Sequence, residues 1–79
     1  MKEINKTIRV TYDESVDAAY IYLADISRGG VTNSYPCDDL DPSVKGEIVL
    51  DFNKSGELVG IEVLGKNIIP KLLLESRWD

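Results

Sequence analysis

The strongest constraint on this chain is a hydrophobic period of two, clearest in two segments of its second half. Apolar side chains recur at every second position over Glu47–Phe52 and over Leu58–Leu64, and a short connection containing Gly56 separates the two. Such alternation is typical of half-buried strands, and a short glycine-containing connection between them indicates a β-hairpin. Gly60, in the middle of the second strand, indicates a bulge or a close approach by another group.

Three further segments carry the same pattern more weakly. Alternation over residues 7–12 and β-favouring residues over 18–24 predict two strands, and a third is expected over 31–35, ended by Pro36. Between the first two, residues 13–17 carry turn and N-cap side chains, enough for one helical turn. Near the end of the chain the period changes from strand to helix spacing, with apolar residues at Ile68, Ile69, Leu72 and Leu73.

These elements predict an α+β fold, with residues 1–79 forming a single small domain. The expected sheet has four or five mainly antiparallel strands, arranged as a meander with a hairpin in the C-terminal half. One short helical turn and a C-terminal helix over 67–77 complete it, and the helix is expected to cover one face of the sheet. The pattern leaves the strand order open.

Composition excludes several kinds of function. The 79 residues include no histidine and a single cysteine, Cys37, which removes the commonest general base and any internal disulfide or thiolate zinc site. A net charge of −5 disfavours nucleic acid and anionic membranes as direct partners. We therefore expect a cytoplasmic, non-catalytic protein with no cofactor and no metal; neither a signal peptide nor a membrane-spanning segment is indicated.

The second face of the predicted sheet is not cleanly polar. It is expected to carry Tyr20, Tyr22, Val49 and Leu58. Exposed apolar and aromatic patches of this kind mark interaction surfaces, so we predict that these four residues contact a partner or a second copy of the chain.

Asp13, Glu14 and Asp17 form a small acidic cluster in the sequence. Hard cations such as Mg²⁺ or Ca²⁺ take oxygen ligands, which makes the cluster a candidate cation site. The favoured interpretation is structural: Asp13 caps the turn and Asp17 satisfies nearby backbone donors.

The other candidate carboxylates and the cysteine also have interpretations that require no catalysis or metal binding. Asp38, Asp39 and Asp41 lack the spacing of a calcium loop and are expected to be solvated. Asp51 and Glu62 lie on neighbouring strands without a cleft, which favours cross-strand or solvent-facing roles over acid–base catalysis. Cys37 has no histidine to activate it.

The segment from Tyr12 to Leu23 has the form Tyr-Asp-x-x-x-Asp-x-x-Tyr-Ile-x-Leu, and the hairpin from Ile48 to Leu64 is its companion block. Together they resemble the small prokaryotic proteins of domain of unknown function family 2283, over about residues 7–65. The resemblance implies a short α+β protein without an assigned activity. Because some members are thought to lie beside genes for toxin-like proteins, it also suggests an antitoxin-like role.

Three classes of function follow from these features. The first is a protein-binding module, an antitoxin-like partner of a small basic protein, which the negative charge would attract. The second is a homo-oligomeric accessory domain with no second component. The third is a weak binder of a small molecule or a divalent cation.

Overall fold

The structure is a computed structural model that describes residues 1–26, 29–65 and 68–69. Its strands pair in the order β1-β2-β5-β4-β3, and every pairing is antiparallel. They coincide closely with the segments of alternating hydrophobicity, because a strand with one buried face repeats every two residues. The strands are β1 (Arg9–Asp13), β2 (Ala18–Tyr22), β3 (Asn33–Pro36), β4 (Glu47–Phe52) and β5 (Leu58–Leu64).

The predicted α+β class is wrong for the described residues, whose regular elements are all strands. The helical turn expected within 13–17 is instead the turn of the β1–β2 hairpin. The carboxylate of Asp13 accepts hydrogen bonds from the backbone N–H and the hydroxyl of Ser15, and Asp17 adopts a left-handed φ of 54°. That conformation ends any right-handed turn. The helix predicted over 67–77 lies outside the described residues, apart from Ile68 and Ile69.

The predicted meander is also wrong, because β5 lies between β2 and β4. The chain leaves β2, crosses to the far edge to form β3, and returns through β4 to the centre. Val59, Gly60 and Val63 of β5 are all buried. A central position gives this longest strand a neighbour on each side, which buries more of its surface than an edge would.

The hairpin between β4 and β5 agrees with the sequence pattern. The side-chain oxygen of Asn53 accepts hydrogen bonds from the N–H groups of Ser55 and Glu57, and Gly56 supplies a φ of 81°. Residues with short polar side chains and glycine favour such turns because they tolerate this backbone geometry. A register shift beside Asp51 and Phe52 places a bulge next to Gly60.

The core lies on one face of the sheet, here called the apolar face. Ala19, Val63 and Ile69 are buried there. Side chains from three strands and Ile68 pack around them. Burial of these apolar groups is the main favourable contribution to folding in a domain of this size. The partly buried neighbours are Tyr12, Ile21, Ile61 and Ile68.

Candidate functional site

The opposite face of the sheet, here called the tyrosine face, carries two rows of side chains that cross the strands. Residues paired across antiparallel strands lie on the same face, so the pairing register defines each row. The first row is Thr11, Tyr20, Glu62, Val49 and Pro36, and the second is Arg9, Tyr22, Gly60, Asp51 and Ser34.

A buried carboxylate lies at the centre of the tyrosine face. Asp51 is only 8% exposed, and both of its side-chain oxygens accept hydrogen bonds. The Tyr20 hydroxyl donates to Oδ2 over 2.5 Å and the Ser34 hydroxyl donates to Oδ1 over 2.7 Å. A buried charge is costly unless it is hydrogen-bonded, so these two hydroxyls are what make this position tolerable for a carboxylate.

Gly60 makes the contact between Tyr20 and Asp51 possible. A Cβ at Gly60 would overlap the hydroxyl and ring of Tyr20, which shows that the tyrosine lies directly over the glycine backbone. Gly60 pairs with Asp51 in β4 and with Tyr22 in β2. The missing side chain therefore lets Tyr20 reach across β5 to the neighbouring strand. The sequence indicated a close approach at Gly60 but not which group makes it.

Aromatic and cationic contacts extend this network toward the β1 edge. The rings of Tyr20 and Tyr22 meet edge to face with centroids 4.7 Å apart, and the guanidinium carbon of Arg9 lies 3.8 Å from the centroid of the Tyr22 ring. Partial burial raises the pKa of the Tyr20 hydroxyl, and its hydrogen bond to Asp51 raises it further. The hydroxyl of Tyr20 therefore stays protonated and donates a hydrogen bond, and it is a weaker acid than an ordinary tyrosine.

The four residues predicted as a partner surface separate into two groups. Tyr20, Tyr22 and Val49 lie half-buried in adjacent rows of the tyrosine face. Leu58 pairs with Phe52 beyond the bulge, where the regular alternation is interrupted. Asp51 and Glu62 also share this face, but Asp51 is committed to Tyr20 and Ser34.

The acidic cluster at the β1–β2 turn is held by local hydrogen bonds. Asp13 accepts two bonds from Ser15, and these hold the pKa of the Asp13 carboxyl below its usual value. The Tyr12 hydroxyl donates to Oδ1 of Asp17 over 2.7 Å, which raises the pKa of that hydroxyl to about 12. The backbone carbonyl of Asp17 accepts from the N–H of Gly65 over 2.8 Å. The motif beginning at Tyr12 thus ties the first hairpin to the end of β5.

Carboxylates from separate parts of the sequence meet at one end of the sheet, here called the acidic end. The β1–β2 turn, the β3–β4 loop and the start of β4 all lie there, because Asp13, Ala18, Leu64 and Glu47 are aligned by the pairing register. Among the described residues of this end, Lys45 supplies the one basic side chain. The carboxylates are those of Asp13, Glu14, Asp17, Asp38, Asp39, Asp41 and Glu47, and all but Asp17 are exposed.

These carboxylates are not arranged around a common point. In the part of the chain that the structure describes, no group of three or more His, Cys, Asp or Glu side chains is placed to hold a metal ion. A hydrogen bond from Ser43 lowers the pKa of Asp41, so this carboxylate too is engaged locally. Cys37, half-buried at the start of the same loop, is a free thiol that donates its backbone N–H to Ile48.

Fold and site together define a small domain with one five-stranded antiparallel sheet, a hydrogen-bonded tyrosine face and a carboxylate-rich end. Residues 9–65 match the family described as Protein of unknown function (DUF2283), and the chain belongs to this family. The resemblance stated from the sequence is thereby confirmed. Neither a curated protein nor a solved structure matches the chain. Over the residues described here there is no helix long and apolar enough to cross a membrane.

Proposed function

We propose that this chain is a non-catalytic protein-binding module whose partner is a small basic protein. The observation that carries the proposal is the segregation of charge along the sheet. The exposed carboxylates of the acidic end face solvent together, whereas at the opposite end Lys6, Arg9 and Lys54 are balanced in part by Asp25 and Glu57. A concentrated patch of one sign steers a partner of the other sign and sets its orientation.

The β3–β4 loop is the part of the acidic end best suited to contact such a partner. Asp38 and Asp39 are exposed, and Asp41, also exposed, is oriented by the backbone N–H of Ser43 over 2.8 Å. The carboxylates of the tyrosine face and of the β1–β2 turn are partly engaged in internal hydrogen bonds. Within this loop, Asp38 and Asp39 therefore offer carboxylates that none of the described hydrogen bonds engages.

The resemblance to the family makes an antitoxin-like role the specific form of this proposal, with the basic partner a toxin-like protein. A cytoplasmic location belongs to the same proposal, supported by the single free thiol Cys37. Asp51 is buried and accepts hydrogen bonds from two hydroxyls that join neighbouring strands, which supports a structural assignment for this carboxylate.

The test is an affinity capture with tagged protein from lysate of its own host, comparing two charge-matched variants. Asp38→Asn/Asp39→Asn neutralises two exposed loop carboxylates and leaves Asp41 with its hydrogen bond from Ser43 in place. Asp25→Asn/Glu57→Gln removes carboxylates from the opposite end as the control. We expect wild type and the control to recover one small basic protein in near-equal amount, and high salt to weaken it. We expect the loop variant to recover about tenfold less of this protein at low salt.

Recovery of the bait alone contradicts the proposal. So does a partner that binds the loop variant and the wild type equally, because its binding would not depend on the carboxylates that carry the argument.

A further inference from the structure

The two outer strands of the sheet differ in their ability to accept another strand. At one edge, the N–H of Cys37 donates to Ile48 in β4 over 2.8 Å, so the residue before it, Pro36, turns its backbone outward. Proline has no N–H to donate, and β3 has only four residues. The β3 edge is therefore blocked in the way natural sheets protect their edges.

The β1 edge carries no such block. The N–H of Leu23 donates to Val59 in β5, so alternate residues of β2, including Tyr20 and Tyr22, direct their backbone groups toward β1. Their partners in β1 are Thr11 and Arg9. Val10 and Tyr12 alternate with these two residues along β1. Their N–H and C=O groups consequently point to the open side of the strand. No strand of the described chain pairs there.

We propose that a second copy of this chain pairs with the β1 edge, antiparallel and two-fold symmetric about Thr11. In this register Val10 of one copy exchanges both backbone hydrogen bonds with Tyr12 of the other, and the two Thr11 residues face each other as a non-hydrogen-bonded pair. This register is possible because Val10 and Tyr12 are the residues of β1 whose backbone groups point away from β2. The inference does not rest on the proposed basic partner.

Charge complementarity favours this occupant over other strands. Antiparallel pairing about Thr11 places Arg9 of each copy opposite Asp13 of the other, on the tyrosine face. The acidic end of one sheet thus lies next to the end of the other that carries Arg9, and opposite charges directly across strands stabilise the pair.

The apolar face continues across the same junction. Val10 and Tyr12 are half-buried in the single chain, and in the proposed pair each lies opposite the other on the apolar face. A β-branched residue facing an aromatic residue is a favourable cross-strand pair. The carboxylates of the β3–β4 loop stay at the two outer ends of the joined sheet.

The test uses disulfide cross-linking of the full chain, with Cys37→Ser removing the native thiol. Thr11→Cys places two thiols at the two-fold axis, where Cα atoms of a non-hydrogen-bonded pair are about 4.5 Å apart, within reach of a disulfide. Thr7→Cys is the matched control, since this register places its two copies eight residues, roughly 26 Å, apart along the junction. Under mild oxidation we expect Thr11→Cys to form a covalent dimer of twice 8.8 kDa and Thr7→Cys to stay monomeric.

Two further variants test the backbone and the charge separately. Val10→Pro removes an outward N–H without touching the bonds to β2, and Arg9→Glu places like charges across the junction. Each is expected to lower the yield of the Thr11→Cys dimer at least about tenfold, with circular dichroism showing that the sheet is retained. Cross-linking that is absent at Thr11, equal at Thr7, or unaffected by both variants overturns the proposal.

Discussion

The hydroxyl of Tyr20 and the carboxylate of Asp51 are hydrogen-bonded across an intervening strand, 31 positions apart in the chain. The contact passes over Gly60, whose missing side chain leaves the space for the tyrosine ring. It joins β2 to β4, while Ser34 joins β3 to the same carboxylate. One buried acid thus links three strands of the sheet, and the polar network specifies their register.

Gly60→Ala is expected to destabilise the fold by about 1–3 kcal/mol, because the added methyl group overlaps the Tyr20 hydroxyl and ring. Urea unfolding measures the change. In a Tyr20→Ala background the three atoms nearest to the added methyl group are gone, and the same substitution should cost clearly less. Equal costs in the two backgrounds would show that Tyr20 is not what excludes a side chain at position 60.

Tyr20→Phe is expected to cost about 1–3 kcal/mol at neutral pH, because one oxygen of the buried Asp51 loses its donor. Ser34→Ala removes the donor to the other oxygen and provides a comparison at the same carboxylate. If urea unfolding finds Tyr20→Phe as stable as wild type, the hydrogen bond contributes nothing to the fold.

The same hydroxyl predicts a loss of stability at alkaline pH. Burial and Asp51 raise the pKa of Tyr20 above its ordinary value of 10.0, so the folded chain holds this proton more tightly than the unfolded chain. The contribution of this proton to the free energy of unfolding is complete below pH 10 and decreases as the pH rises above 10. Stability measured between about pH 9 and 12 should fall less steeply for Tyr20→Phe than for Tyr35→Phe, which removes an exposed side chain's hydroxyl. Parallel curves would contradict this.

Asp17→Gly is expected to be about 1 kcal/mol more stable than Asp17→Ala, because φ at this position is 54° and only glycine adopts it without strain. Both variants lose the hydrogen bond from Tyr12, so the comparison isolates the backbone. Thermal or urea unfolding gives the difference, and an alanine variant at least as stable as the glycine variant would refute the assignment.

Ser15→Ala is expected to raise the pKa of Asp13 toward its ordinary value of 3.8, since the Ser15 hydroxyl is the largest cause of its lowering. Because the folded chain has the lower pKa, the Asp13 carboxylate stabilises the fold at pH values above 3.8. This stabilisation is lost as the pH falls through the pKa of the folded chain. Carboxyl titration by NMR measures the shift. Ser43→Ala should raise the pKa of Asp41 in the same way and leave Asp13 unchanged.

Local patterns in the sequence were enough to predict the five strands, the β4–β5 hairpin and the special role of Gly60. Each of these depends on side-chain alternation or turn chemistry within a few residues. The helical turn at residues 13–17 was wrongly predicted for the same reason. N-cap residues and hairpin-turn residues are chemically alike, and only the pairing of β1 with β2 distinguishes them.

The sequence by itself thus determined which segments form strands and how much negative charge the chain carries. Tertiary structure decided the order of the strands, the burial of Asp51 and the grouping of carboxylates from separate loops at one end of the sheet. It also decided which strand edge stays open. The backbone N–H and C=O groups of Val10 and Tyr12 point away from the sheet only because the neighbouring residues of β1 form hydrogen bonds with β2. These features depend on residues that are distant in the chain. Such residues interact only after the sheet has formed and brought them together.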